Sequence, residues 1–283
     1  MSDSPEILRY SAFAATEDGG NPAGVVLDAS RLDEASMERI AREVGYSETA
    51  FVVSETDHAT PRYRLRFWSP AAEVPFCGHA AVATAVALAE RDGPGEVEFD
   101  TAAGVITLRS QTDDAGDVSV SFTSVEPEVR RLDDYVRTRL LALLGLVESD
   151  LDHRFPVRES FAGNWHPIVV IADREIFHQF RFAPADVAAL MREQGWTGTV
   201  TVLHSQSANE FEARNLFPVG QITEDPATGS AAASTGAYLR ELGYSAQTIR
   251  IHQGRHVGRP SRLIVKIPAT GGIEVSGGAT RIN

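Results

Sequence analysis

Residues 214–232 read RNLFPVGQITEDPATGSAA, and residues 66–81 read RFWSPAAEVPFCGHAA. Arg66 matches Arg214, Pro70 matches Pro218, Glu73 matches Gln221 and Val74 matches Ile222. With three residues inserted after that point, Gly78 matches Gly229. The correspondence extends outwards. GGNPAGVVLDA (19–29) is echoed by AGNWHPIVVIAD (162–173), and ETAFVVS (48–54) by VTVLHS (200–205). Blocks that recur in one order at about half the chain length signal an internal duplication. The expected architecture is α+β, with two similar domains, each a curved and mostly antiparallel sheet around a central helix. The expected domains are 1–126 and 127–283, joined near 125–130, where SVEPEVRRLDD breaks the strand pattern, with the last strand near 271–283 returning to the first. A cleft between such halves is the expected place for an active site.

Local patterns agree with mixed α and β. PRYRLRFW, GVITLRS, DVSVSF and RLIVKI alternate as strands do. RLDEASMERIAREVG (31–45) has helical spacing, an acidic first turn and a glycine stop. LDDYVRTRLLALLGL and PADVAALMREQGW read as second-half helices. The segments that start at Ala80 and Ala231 differ from these, being small and apolar on nearly every side. Such helices are buried all round.

Bulk composition narrows the class. The chain has 283 residues, 43% hydrophobic and 23% charged, with a formal net charge of −13. Arg130-Arg131 is the only Arg-Arg pair, so nucleic acid is not an expected partner. Apolar stretches such as AAVATAVALA (80–89) are too short to span a bilayer, and no membrane partner is expected. A single cysteine, Cys77, and a start without a basic, apolar leader suit a cytoplasmic protein.

CGHAA and TGSAA share a design. Gly78-His79 and Gly229-Ser230 each open an alanine-rich helix. A helix start exposes backbone N–H groups without partners, and its dipole favours negative charge. Each start contributes about 0.3–1 kcal/mol to an anion when exposed and up to about 2 kcal/mol when partly buried. Two matched starts therefore point to a cradle for a substrate carboxylate. Ordinary capping by Thr228 or Ser230 is the plainer alternative.

GNPAGVV, SETAFV, PFCGHA and EDPATGSAA resemble the signature blocks of the phenazine-biosynthesis PhzF-like isomerase family, and the match runs through both halves. That family shares its fold with diaminopimelate epimerase and proline racemase. The resemblance implies an active site between two similar domains, no cofactor and a homodimer. It implies Glu48 as catalytic acid/base, with His79 and Asp225 as polar partners. It places Gly78, Gly229 and Ser230 on the substrate carboxylate, and Asn21 on the substrate.

The chemistry suits these residues. An isomerase must take a proton from a weakly acidic C–H and return it elsewhere, and one placed carboxyl can do both. The apolar flank TAFVV predicts a raised pKa for Glu48, and Glu224 and Asp225 offer further carboxylates. A solvated acid at a strand edge is the plainer reading of Glu48. Diaminopimelate epimerase and proline racemase use two opposed thiols. This chain has only Cys77, so that mechanism is excluded and Cys77 reads as a small buried residue. Lys266 is the only lysine and sits in a strand pattern, which argues against a Schiff-base cofactor. HQGRH (252–256) reads as loop, and no metal site is expected. The expected function is a cofactor-independent isomerase of a small carboxylate-bearing metabolite. The alternatives are a carboxylate-binding protein without turnover and a one-base amino-acid epimerase.

Overall fold

The computed structural model describes residues 5–56, 60–220 and 222–282. The chain divides into two compact units. One runs to Thr123 and takes in the segment from Ser276, and the other is Ser124–Val275.

The first unit contains β1 (Leu8–Ala12), β2 (Asn21–Val26), α1 (Glu34–Val44), β3 (Glu48–Thr56), β4 (Arg62–Trp68), β5 (Glu73–Val74), α2 (Gly78–Asp92), β6 (Glu96–Thr101), β7 (Gly104–Thr112) and β8 (Val118–Thr123). The second contains β9 (Glu128–Arg131), α3 (Asp134–Leu143), β10 (Arg158–Phe161), β11 (Trp165–Val170), α4 (Arg174–Gln179), α5 (Pro184–Gln194), β12 (Val200–Ser205), β13 (Glu210–Leu216), β14 (Glu224–Asp225), α6 (Gly229–Glu241), β15 (Thr248–Gln253) and β16 (Ser261–Lys266). The final strand, β17 (Glu274–Arg281), supplies its last residues to the first unit.

In the first unit the strands pair in the cycle β17–β1–β2–β3–β4–β6–β7–β8 and back to β17, a closed eight-stranded barrel. Only β2–β3 and β4–β6 are parallel among the registered pairs. Through its middle runs α2, buried from His79 to Ala89. Its small side chains keep the helix thin enough for a sheet to wrap it. The second unit repeats the scheme. Strands β10–β11–β12–β13–β15–β16 pair in that order, with the second and fourth junctions parallel as they are along β1–β2–β3–β4–β6–β7. Its central helix, α6, is buried from Ala231 to Leu239. The duplicated α+β architecture read from the sequence is therefore the one observed.

Two expectations need correction. SVEPEVRRLDD does not break the strand pattern, because β9 lies inside it and pairs with β10, Arg130 opposite Glu159. The pairing of Glu73 with Gln221 also fails. In β5, Glu73 and Val74 lie opposite Trp68 and Phe67, and in β14, Glu224 and Asp225 lie opposite Leu216 and Asn215. Glu73 is thus equivalent to Glu224, and the three-residue insertion precedes the short strand rather than coming after it; Gln221 lies outside the described residues. The physical reason is a repeated ion pair. Arg66 grips Glu73 through Nε and Nη2, both at 2.6 Å, and Arg214 grips Glu224, with Nη2 at 2.5 Å. Each pair ties the short strand before a central helix to the long strand beside it.

The central helix tolerates no added bulk where it meets the sheet. A Cβ at Gly236 would lie 2.8 Å from methyl groups of both Val265 and Ile273. Gly236→Val is expected to lower the unfolding free energy by about 1–3 kcal/mol, read from urea denaturation. An unchanged midpoint would show that this packing is loose.

Candidate active site

Glu48 opens β3 at the point where it leaves the loop and pairs with Ala23 of the parallel strand β2. Asn21, the first residue of β2, lies two positions before Ala23 and so on the same face of the sheet; it is buried. The start of α2 meets this edge. His79 Nε2 lies 3.3 Å from Glu48 Oε2 and 3.3 Å from Ser47 Oγ. The Cys77 thiol donates to Glu48 Oε2 over 3.5 Å and lies 3.3 Å from His79 Nδ1. His79 and Cys77 are buried, and the Glu48 side chain is 22% exposed. Glu48 is therefore not a solvated edge acid. It is a largely shielded carboxyl held between a thiol and an imidazole.

Glu48, Cys77 and His79 each offer one ligand atom, all within 4.8 Å of one another. The ring orientation does not suit a shared cation. Sγ is 3.3 Å from Nδ1 and 3.7 Å from Nε2, so it lies beside the ring rather than along either lone pair, while Nε2 is turned to Glu48 and Ser47. The cluster as built is a hydrogen-bonding one.

Neither central helix is capped by the side chain of the residue before it, although Gln253 Oε1 accepts from the Thr228 amide at 3.3 Å. Cys77 precedes α2 and Thr228 precedes α6, and neither side chain bonds a helix amide. In contrast, α1, α3 and α4 are capped by Asp33, Asp133 and Asp173. Capping by Thr228 is thus set aside, and so is capping by Ser230, which lies inside the helix. A Cβ at Gly78 would touch only the Phe76 ring, at 3.8 Å. Packing does not demand glycine there, whereas a ligand approaching the backbone would.

In the second unit the sequence-predicted residues take up two networks. The Thr228 hydroxyl donates to Asp225 Oδ2 at 2.5 Å, and Gln253 Nε2 donates to the Asp225 carbonyl at 2.6 Å and to Thr228 Oγ1 at 3.0 Å. Asp225 therefore shapes the turn into α6, as an acid before proline can. Glu224 is not available as a further site carboxylate, because Arg214 holds it in a pair whose side chains are 6% and 9% exposed.

The other network was not anticipated. Ser230 Oγ lies 3.1 Å from Nε2 of His166 on β11, and His166 Nδ1 accepts from the Thr199 amide at 3.0 Å. Thr199 and Thr201 both donate to Asn215 Oδ1, at 2.7 and 2.8 Å. A Cβ at Gly198 would sit 2.3 Å from the His166 ring, so glycine is needed for the imidazole to fit. Strand registers make Glu48 equivalent to Thr199, Ala23 to His166 and His79 to Ser230. The second half repeats the frame without repeating the carboxyl.

Comparison with known proteins agrees with this description. The model of the family described as phenazine biosynthesis-like protein matches residues 10–283. An uncharacterized isomerase of Escherichia coli is 30% identical, over 93% of this chain and 90% of its own. The trans-2,3-dihydro-3-hydroxyanthranilate isomerase of Pseudomonas aeruginosa is 29% identical, over 94% and 93%. Among solved structures, a predicted epimerase from Pseudomonas aeruginosa superposes with a TM-score of 0.82 at 27% identity, covering 99% of this chain and 98% of its own. Fold and relatives define an isomerase. The chain belongs to the phenazine biosynthesis-like protein family. Among the described residues no helix is long and apolar enough to cross a membrane.

Burial holds the His166 pKa down at about 4, against an ordinary 6.5, with a smaller opposing contribution from Thr199. Below pH 6.5 the unfolded chain takes up this proton and the folded chain does not, so folding loses stability as pH falls from 6.5 to 4. The loss from this one group is about 3 kcal/mol and is absent above pH 7. Urea unfolding across pH 4–7 should show this slope, and His166→Gln should flatten it. An identical slope in the variant would contradict the assignment.

Proposed function

We propose that this isomerase moves a proton within a small carboxylate-bearing metabolite, and that Glu48 carries the proton. The observation that bears most weight is the Glu48–Cys77–His79 cluster at an uncapped helix start. As a carboxylate, Glu48 removes the proton beside an electron-withdrawing group. As a carboxylic acid, it returns that proton at the product carbon. General acid–base help of this kind is worth roughly 10²–10⁴-fold. The Cys77 thiol stabilises the charged form by donating to it, and His79 exchanges a hydrogen bond with it as charge comes and goes. Within its own unit each helix start is assigned to a substrate anion, Gly78 at α2 and Gly229 with Ser230 at α6, where fixed donors favour developing negative charge. Asn21 is assigned a contact to substrate. Asp225 is assigned the role of polar partner, held in its turn by Thr228 and Gln253.

The substrate class draws support from the relative that isomerises trans-2,3-dihydro-3-hydroxyanthranilate, a cyclic carboxylate with a mobile C–H. The register equivalence of Glu48 with Thr199 supports one base rather than an opposed pair.

Dihydroaromatic and amino acids incubated with the protein in deuterium oxide should include a member that takes up deuterium on carbon. In Glu48→Gln that uptake should fall by roughly 10²–10⁴-fold at unchanged thermal stability. Full exchange by the variant would remove Glu48 from the mechanism. Optical-rotation loss without a change of constitution would identify epimerisation as the net reaction.

A further inference from the structure

We propose that His166 is a positioning residue that keeps the Ser230 hydroxyl hydrogen free to donate, so that the ligand atom meeting that hydrogen must be an acceptor. The inference rests on the assignment of Ser230 to the ligand made above, and it specifies the chemistry that residue can accept.

The direction of the network is set at its buried end. The Thr199 amide can only donate, and it reaches His166 Nδ1 at 3.0 Å. The Thr199 hydroxyl, whose single hydrogen goes to Asn215 Oδ1 at 2.7 Å, lies 3.1 Å from Nδ1 and could only accept from it, which would suit the opposite tautomer. The Thr199 carbonyl lies 3.1 Å from the same nitrogen and would pair with the opposite tautomer. That tautomer sets two N–H groups against each other and orphans a buried amide. Proteins avoid orphaned amides more strictly than under-used carbonyls. Nδ1 therefore keeps its lone pair.

The ring is neutral, since it is fully buried and held at a pKa of about 4. A neutral imidazole without hydrogen on Nδ1 carries it on Nε2. That N–H meets Ser230 Oγ at 3.1 Å, so the hydroxyl accepts from the ring and its own hydrogen is not spent on His166. Two other hydroxyls on the central helices behave differently. Thr84 and Thr235 turn their hydrogens back to the helix carbonyls of Ala80 and Ala231, both at 2.8 Å. Ser230, in the first turn of α6, has no such carbonyl within the helix. Its hydrogen adds to the uncapped amides beside it, and all of them donate. Carboxylate oxygen satisfies that set, whereas an ammonium or other donor meets N–H and O–H groups head-on.

Two measurements test this without needing turnover, so they stand or fall separately from the role of Glu48. The first is nitrogen NMR of the full chain labelled at histidine, with His166 assigned by its absence in His166→Gln. A neutral ring protonated at Nε2 is expected throughout pH 5–8. Protonation at Nδ1, or titration near the ordinary histidine pKa, would overturn the proposal. The second is calorimetric binding of two probes, anthranilate and 2-aminobenzylamine. Anthranilate should bind and the amine should not. His166→Leu should weaken anthranilate roughly tenfold, or 1.4 kcal/mol. His166→Gln, whose amide can still donate to Ser230, should stay within about threefold. Equal binding of the amine, or unchanged anthranilate affinity in His166→Leu, would overturn it.

Discussion

A helix buried on every side dictates most of this architecture. Inside its sheet, such a helix must be narrow, which is why alanine dominates α2 and small residues fill α6 from Gly229 to Ala237. It must also begin at one fixed place, because the ladder around it fixes its height. That constraint delivers Gly78 and His79 to the edge where Glu48 enters the sheet. The Arg66–Glu73 and Arg214–Glu224 pairs hold the two-residue strands that lead into each helix. Their environments differ. Arg66 keeps Glu73 below the ordinary carboxylate range in a partly exposed setting, whereas the Arg214 pair is almost wholly buried. Geometric complementarity and hydrogen bonding are what make a buried pair of this kind tolerable.

Duplication supplied the frame twice, and the two copies carry different side chains at equivalent positions. Where the first unit has Glu48, the second has Thr199, and where the first has Ala23, the second has His166. The imidazole in the first unit comes from the helix and meets a carboxyl. In the second it comes from a strand, is buried and neutral, and meets a hydroxyl from the helix. The first arrangement suits a group that gains and loses a proton, the second a group that must not.

The duplication was legible because blocks with special backbone needs, such as GNP, CGH and TGS, recur in order. Glu48 and His79 were legible by position within those blocks. Three features were not. The true partner of Glu73 was hidden by a three-residue insertion whose place only the strand register reveals. His166 stood in a run of strand residues, and its meaning depends on Thr199, 33 residues on, and Ser230, 64 residues on. Gln253 sat in HQGRH, which reads as loop, yet it ends β15, is buried and clamps the Asp225 turn. Long-range hydrogen bonds of this kind leave no periodic trace in a single sequence.

The central claim is that one shielded carboxyl both removes and returns the proton. Its most direct test is a single turnover in ordinary water with substrate deuterated at the labile carbon. A shared carboxyl predicts that a measurable fraction of product carries deuterium at the new position. Product free of label, formed as fast by Glu48→Gln as by the parent chain, would contradict it.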